Sequence, residues 1–179
     1  MSRIRTTARA AAAVAGMIAL CAAAVATAAA QSASISATAT VLQPLTVTGT
    51  NNLAFGNVYP GVNKSIAYSD AANAGKFAVS GYGGAQVTLS FALPTDLNGP
   101  SGSLLPIDNW TGYYNTTSGA TSGGTTFTPS TAVTTTNLSG AAGTGSLFVF
   151  IGARVSPTST QTAGAYTNTV TMTVAYTGL

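Results

Sequence analysis

The sequence predicts an all-β protein of about 7–9 short antiparallel strands folded as a sandwich. Three observations carry that prediction: no stretch beyond residue 30 has helical periodicity, apolar residues alternate with Thr and Ser in short runs, and Gly, Pro, Asn and Asp separate the runs. A closed barrel satisfies the same pattern. No internal repeat of solenoid or propeller length is present.

The opening reads as a secretory signal helix that is cleaved. Arg3, Arg5 and Arg9 form a basic start, Ala10 to Val25 is an apolar stretch too short for a membrane anchor, and Ala28 and Ala30 supply the A-x-A spacing of a cleavage site. Residues 1–30 are thus assigned to a signal peptide and residues 31–179 to one β-sandwich domain, with Gln31 as the new terminus. Roughly 149 residues suffice for one core and not comfortably for two. The single cysteine, Cys21, leaves with the signal, and Leu20 before it stands where a lipid-attachment site wants a small residue. The mature chain therefore holds its fold by burial and sheet hydrogen bonds, in a compartment that would permit disulfides.

The remaining elements follow in order. Ala33, Ile35, Ala37, Ala39 and Val41 alternate with polar neighbours, and Leu45 and Val47 resume the parity beyond Pro44. Residues 31–48 thus read as one long strand interrupted by a proline, which a sheet tolerates at an edge, an end or a bulge. Leu53 and Phe55 predict a short strand ending at Gly56, before a Tyr59-Pro60-Gly61 turn. Ile66 and Tyr68 predict a brief strand, and Phe77 and Val79 another that reaches Gly81. Val87, Leu89, Phe91 and Leu93 alternate cleanly until Pro94 stops them. From about Asn98 to Gly145 the chain is rich in Gly, Ser, Thr and Asn, which predicts irregular loops plus one or two strands. Its main bulky groups are Leu104 to Ile107, Trp110 to Tyr114 and Phe127. Leu147 to Ile151 is a continuous apolar run, consistent with a strand covered on both faces. Tyr166, Val170, Met172, Val174 and Tyr176 alternate with threonines and make the clearest strand of the chain. Short strands at this spacing, without helices, indicate an immunoglobulin-like or related sandwich.

Once the signal is removed, Lys64, Lys76 and Arg154 balance Asp70, Asp96 and Asp108. A chain with no basic surplus has no electrostatic footprint for nucleic acid or for an anionic membrane surface, and low net charge favours self-association. Beyond the signal there is no His, Cys or Glu, so the usual general base, the thiol nucleophile and the commonest transition-metal ligands are missing. Neither Lys64 nor Lys76 stands in an S-x-x-K spacing that would activate a serine. Asp70, Asp96 and Asp108 fit turn chemistry better than a glycosidase carboxylate pair. Gly140, Gly143 and Gly145 precede an apolar strand rather than the helix a phosphate loop requires. The chain reads as no enzyme, with neither cofactor nor metal. Trp110, Tyr113 and Tyr114 are either a stacking platform for sugars or a plug at the sandwich end. Asn115-Thr116-Thr117 matches a glycosylation sequon, a pattern that chance often produces in a Thr-rich chain.

Two segments carry a family resemblance: Leu53-Ala54-Phe55-Gly56 followed by Tyr59-Pro60-Gly61, and the ending Ala163 to Tyr176. Together they resemble the bacterial surface proteins of domain-of-unknown-function family 4402. The F-G signpost and the A-G-x-Y-T-x-T-V-x-V-x-V-x-Y ending, with Met172 in place of one valine, are also similar to spore coat protein U and the archaic chaperone-usher pilins. The resemblance spans the mature chain and is specific mainly at its two ends. It implies export through the periplasm to the cell surface or beyond, with a periplasmic chaperone and an usher as partners. In pilins the C-terminal strand begins near a glycine and finishes at a tyrosine, and Gly164 to Tyr176 matches that layout. Thr177, Gly178 and Leu179 beyond the tyrosine, and the absence of a disulfide, are departures from it.

A sandwich short of one strand exposes apolar core and unpaired edge groups, which an extended segment of a neighbour completes. The leading expectation is therefore a non-enzymatic structural subunit of a bacterial fimbria-like surface polymer, assembling with itself or with related subunits by strand donation. Ala33, Ile35, Ala37, Ala39 and Val41 are its candidate donor residues, and Tyr166, Val170, Met172, Val174 and Tyr176 its acceptor edge. The same N-terminal segment serves equally well as the first strand of its own sandwich. The competing expectation is a monomeric secreted carbohydrate-binding or adhesive module in which Trp110, Tyr113 and Tyr114 contact the ligand.

Overall fold

The computed structural model describes residues 31–119, 122–141 and 143–178. The signal-peptide assignment of residues 1–30 lies outside them. The chain divides between Ala39 and Thr40 into two units. In the first, residues 31–39 are exposed and form no strand.

The second unit is a two-sheet antiparallel sandwich. Its strands among the described residues are β1 (Thr46–Asn51), β2 (Lys64–Ile66), β3 (Gly75–Tyr82), β4 (Gln86–Ala92), β5 (Asp96–Asn98), β6 (Leu104–Asn115), β7 (Thr125–Phe127), β8 (Thr134–Asn137), β9 (Thr144–Val155) and β10 (Thr171–Gly178). The larger sheet runs β1-β3-β9-β6-β5, with β2 on β9 and β7 on β6, and the smaller runs β10-β4-β8. No α-helix occurs among the described residues.

Period-two alternation places the core. On the smaller sheet Val87 faces Tyr176, Leu89 faces Val174 and Phe91 faces Met172 across the β4–β10 ladder. These side chains meet Val79, Leu147, Val149 and Ile151 of the larger sheet in the main cluster. Leu105, Ile107, Ala153 and Val155 extend the core toward β5. Burying one such aliphatic side chain contributes about 1.5–3 kcal/mol, so the alternating strands supply much of the stability.

The structure corrects the sequence reading in several places. Residues 31–45 form no strand, and the first strand begins at Thr46, two residues past the proline that removes a ladder donor. Leu53 and Phe55 pack against the second cluster, yet they lie in irregular backbone whose Ala54 N–H donates to the Asn73 carbonyl, 2.9 Å away. The final strand starts at Thr171, so Tyr166 and Val170 precede it. The region read as mostly loop holds β6, twelve residues long and paired with β9 from Ile107 to Asn115. A bulge explains why β6 was hidden. Asp108 faces Arg154 and Thr111 faces Gly152, so one extra residue enters β6, and Asn109 takes a left-handed φ of 49° there. The extra residue shifts the core-facing parity from Leu105 and Ile107 to Trp110 and Tyr114. β9 is covered on both faces, as its apolar run predicts: Leu147, Val149 and Ile151 face the core, and Phe150 lies buried on the other side against Tyr113.

Candidate functional site

β10 pairs with β4 on one side only, and among the described residues no strand pairs with its other edge. That edge presents a row of backbone N–H and C=O groups. On the larger sheet β1 is likewise an edge strand, and every one of its residues is exposed. Val47 stands opposite Val79 in the β1–β3 ladder and so shares its core-side face. Val79 is 1% exposed, whereas Val47 is 38% exposed. The smaller sheet covers β3 and stops before it covers β1.

Beside these two edges lies an open groove of about 1180 Å³. Its lining includes Gly49 of β1, Leu53 and Phe55, Phe77 of β3, Ile151 of β9, and Val170 just before β10. The two segments that carry the family resemblance both border it, since Leu53 to Pro60 and Gln161 to Val170 are lining residues.

Local chemistry holds both walls in place. Gly56 turns the chain with a φ of 62°, and the Lys64 ammonium donates to the Asn57 carbonyl at 3.0 Å. On the opposite wall Gly164 adopts a φ of 150° with its Cα against the ring of Pro100, where a side chain would collide. Tyr166 packs its ring on Gly99 and donates its hydroxyl to the Thr162 carbonyl at 2.7 Å. The same oxygen accepts from the Gln161 amide at 2.7 Å. Thr167 and Asn98 exchange backbone hydrogen bonds of 2.9 Å, and the Asn168 amide donates to the Asp96 carbonyl at 2.7 Å. The A-G-x-Y-T-x-T ending is thus a fastening that presents Val170 to the groove just ahead of β10. At the far end of β10 the Tyr176 hydroxyl accepts from the Tyr82 N–H at 2.6 Å and donates to the Gln43 carbonyl at 2.9 Å.

Of the candidate acceptor residues, Met172 is buried and Tyr166, Val170, Val174 and Tyr176 are half-buried. Of the candidate donors, Ala33, Ile35, Ala37, Ala39 and Val41 are all exposed, Ile35 at 95% and Val41 at 91%. Trp110, Tyr113 and Tyr114 do not share a face. Trp110 and Tyr114 pack against the core, whereas Tyr113 stacks on Tyr68 with ring centroids 5.3 Å apart. Successive strand residues point to opposite sides, which rules out a common platform for Tyr113 and Tyr114. The sequon Asn115 is buried, with its amide donating to the Ser122 carbonyl at 2.9 Å.

The charged groups have structural partners. Asp70 is a turn residue: its carboxylate accepts from the Ala72 and Asn73 N–H groups at 3.1 Å and from the Asn73 amide at 2.9 Å. The Asn73 side chain, then the Asn73 backbone, hold that carboxyl below the usual range. Asp96 and Asp108 lie on strands β5 and β6 rather than in turns. Arg154 grips Asp108 through two bonds of 2.9 and 2.8 Å, which lowers the Asp108 carboxyl and raises the Arg154 guanidinium. Among the described residues no cluster of three or more His, Cys, Asp or Glu is placed to hold a metal. No helix among them is long and apolar enough to cross a membrane.

A family model described as domain of unknown function (DUF4402) matches residues 45–176. The chain belongs to this family. The DUF4402 match begins at Leu45, which packs against the main core, and ends at Tyr176, so it takes in both sheets and both walls of the groove. The candidate donor residues precede it. No curated protein matches the chain. The sequence ties an acceptor groove to the Tyr166 to Tyr176 segment; its other wall, Leu53 to Pro60, is irregular backbone that the motif at Leu53 to Gly61 marks without placing it there.

Proposed function

We propose that this DUF4402 chain is a non-enzymatic structural subunit of a bacterial fimbria-like surface polymer, exported and assembled by strand donation between copies or related subunits. The observation that carries the reading is Val47, uncovered on the core side of edge strand β1, together with the unpaired edge of β10 in the other sheet. A strand laid there would satisfy the β10 edge through main-chain bonds and cover Val47, Phe77 and Val170.

The donor is the segment Ser32 to Val41 of a neighbouring copy. Its alternation sends Ala33, Ile35, Ala37, Ala39 and Val41 to one face, and burying Ile35 and Val41 would contribute about 1.5–3 kcal/mol each. The resemblance to chaperone-usher pilins adds a periplasmic chaperone and usher as the assembly partners. Opposite-face placement of Tyr113 and Tyr114 removes the main support for the sugar-binding alternative.

Replacing Ile35 and Ala37 by Asp puts two charges into the donor face, where burial without a partner is costly. Size-exclusion chromatography of the mature protein should then show monomer only, with a circular dichroism spectrum and unfolding midpoint unchanged from the parent. Polymers that persist in the double variant would refute donation by this segment.

A further inference from the structure

Among the described residues, the large exposed apolar side chains are Ile35, Val41, Val47, Tyr59, Val62, Leu104 and Val133. Ile35 and Val41 belong to the donor and Val47 to the edge strand β1. Tyr59, Val62 and Leu104 gather at one end of the groove. Tyr59 lines it, Val62 closes the same turn with its N–H donating to the Tyr59 carbonyl at 3.1 Å, and Gln161, another lining residue, donates to the Leu104 carbonyl at 3.0 Å. The Gly61 N–H and the Gln161 N–H both donate to the Thr158 carbonyl, which ties the three positions into one rim. Only Val133 is left unassigned, so the exposed apolar surface is concentrated rather than scattered.

The geometry points to a head-to-tail junction in which the Tyr59, Val62 and Leu104 rim of one copy seats the glycine-rich end of the next. It presupposes strand donation, and the connection between donor and domain dictates the partner. Val41 is the last donor residue, and the Gln43 carbonyl two positions on is already held by the Tyr176 hydroxyl. Two residues reach about 7 Å at most, and Pro44 stiffens the exit. A donor strand in the groove therefore brings the body of its own copy against the acceptor.

The surface it brings is the end of the sandwich where Tyr176 meets Gln43 and Tyr82. That end is made of the turns around Gly83 and Gly84 and around Gly140 and Gly143, joined by a Gly83 N–H to Gly143 carbonyl bond of 2.8 Å. Such turns present little side-chain bulk, which permits close approach. The groove walls sit by the start of β10 and the donor root by Tyr176 near its end, about 17 Å apart over the five steps from Thr171. Rim and root thus lie at opposite ends of one molecule. A contact between unlike ends does not close on itself and propagates as an open filament. With Val41 at the rim, the donor runs antiparallel to β10.

The test uses full-length mature chains. In the first, Val62 and Leu104 are both replaced by Ser; both are exposed and neither lines the groove, so the fold and the groove should tolerate the change. Binding of a synthetic Ser32–Val41 peptide is measured on chains that also carry Ile35→Asp and Ala37→Asp, which leaves the groove free. The rim variant should bind the peptide within about two-fold of its parent, while the concentration at which polymers form rises about ten-fold or more. Polymerisation at the parental concentration would overturn the junction and leave strand donation standing. Failure of the parent groove to bind the peptide would overturn strand donation, and the junction with it.

Discussion

Val47 and Val79 are the same side chain on the same face of adjacent strands, and their exposures differ because one has a sheet above it and the other does not. Their truncations should differ accordingly. Val79→Ala removes buried methyl groups and leaves a cavity, a loss of about 2 kcal/mol in urea unfolding. Val47→Ala should change monomer stability by less than about 0.5 kcal/mol, because it removes little that is buried. Equal losses at the two positions would mean that β1 is covered. The carboxylates make a second prediction at this scale. Asp70, held by Asn73, and Asp108, held by Arg154, titrate below the ordinary value of 3.8 in the folded chain. The unfolded chain binds protons there that the folded chain refuses, so stability from these contacts is fully present above that value and falls away as pH drops through the lowered ones. With no His or Glu in the sequence, the thermal midpoint should be flat from about pH 5 to about pH 8 and should fall below about pH 4.

At the scale of elements, the strands legible in the sequence are those whose alternate residues are apolar and whose ladders run unbroken: β3, β4, β9 and most of β10. β6 was illegible for two physical reasons. Its bulge shifts the core-facing parity, and one of its core-side positions is Gly112, whose missing side chain leaves room for the Phe127 ring. β7 and β8 are short, threonine-rich edge pieces with almost no apolar signal. At residues 33–41 the alternation was real, but alternation reports only that a segment is fit to be half-buried and leaves open in which molecule. The groove is visible in the sequence only through motifs whose glycines and tyrosines fasten its walls. The bulge gives the prediction at this scale. Deleting Asn109 removes the extra residue and closes the ladder into unbroken alternation, with Trp110 opposite Ala153, so Trp110 and Tyr114 keep their core-facing side. The deletion variant should keep its cooperative thermal transition by circular dichroism; loss of the transition would show that the bulge itself is needed for the fold.

At the scale of the molecule, β1 and β10 are both edge strands, and among the described residues the large exposed apolar side chains other than Val133 fall on the donor segment, on β1 and at the groove rim. Beyond residue 30 the three basic and three acidic side chains balance, which leaves little repulsion between copies. These features are mutually consistent in a polymer and unexplained in an isolated domain. The most direct measurement is size-exclusion chromatography with light scattering and negative-stain imaging of the mature protein, beside a chain lacking Gln31 to Val41. Strand donation predicts filaments or ladders from the first and a folded monomer from the second. A truncated chain that unfolds, or one that polymerises as the parent does, would contradict it.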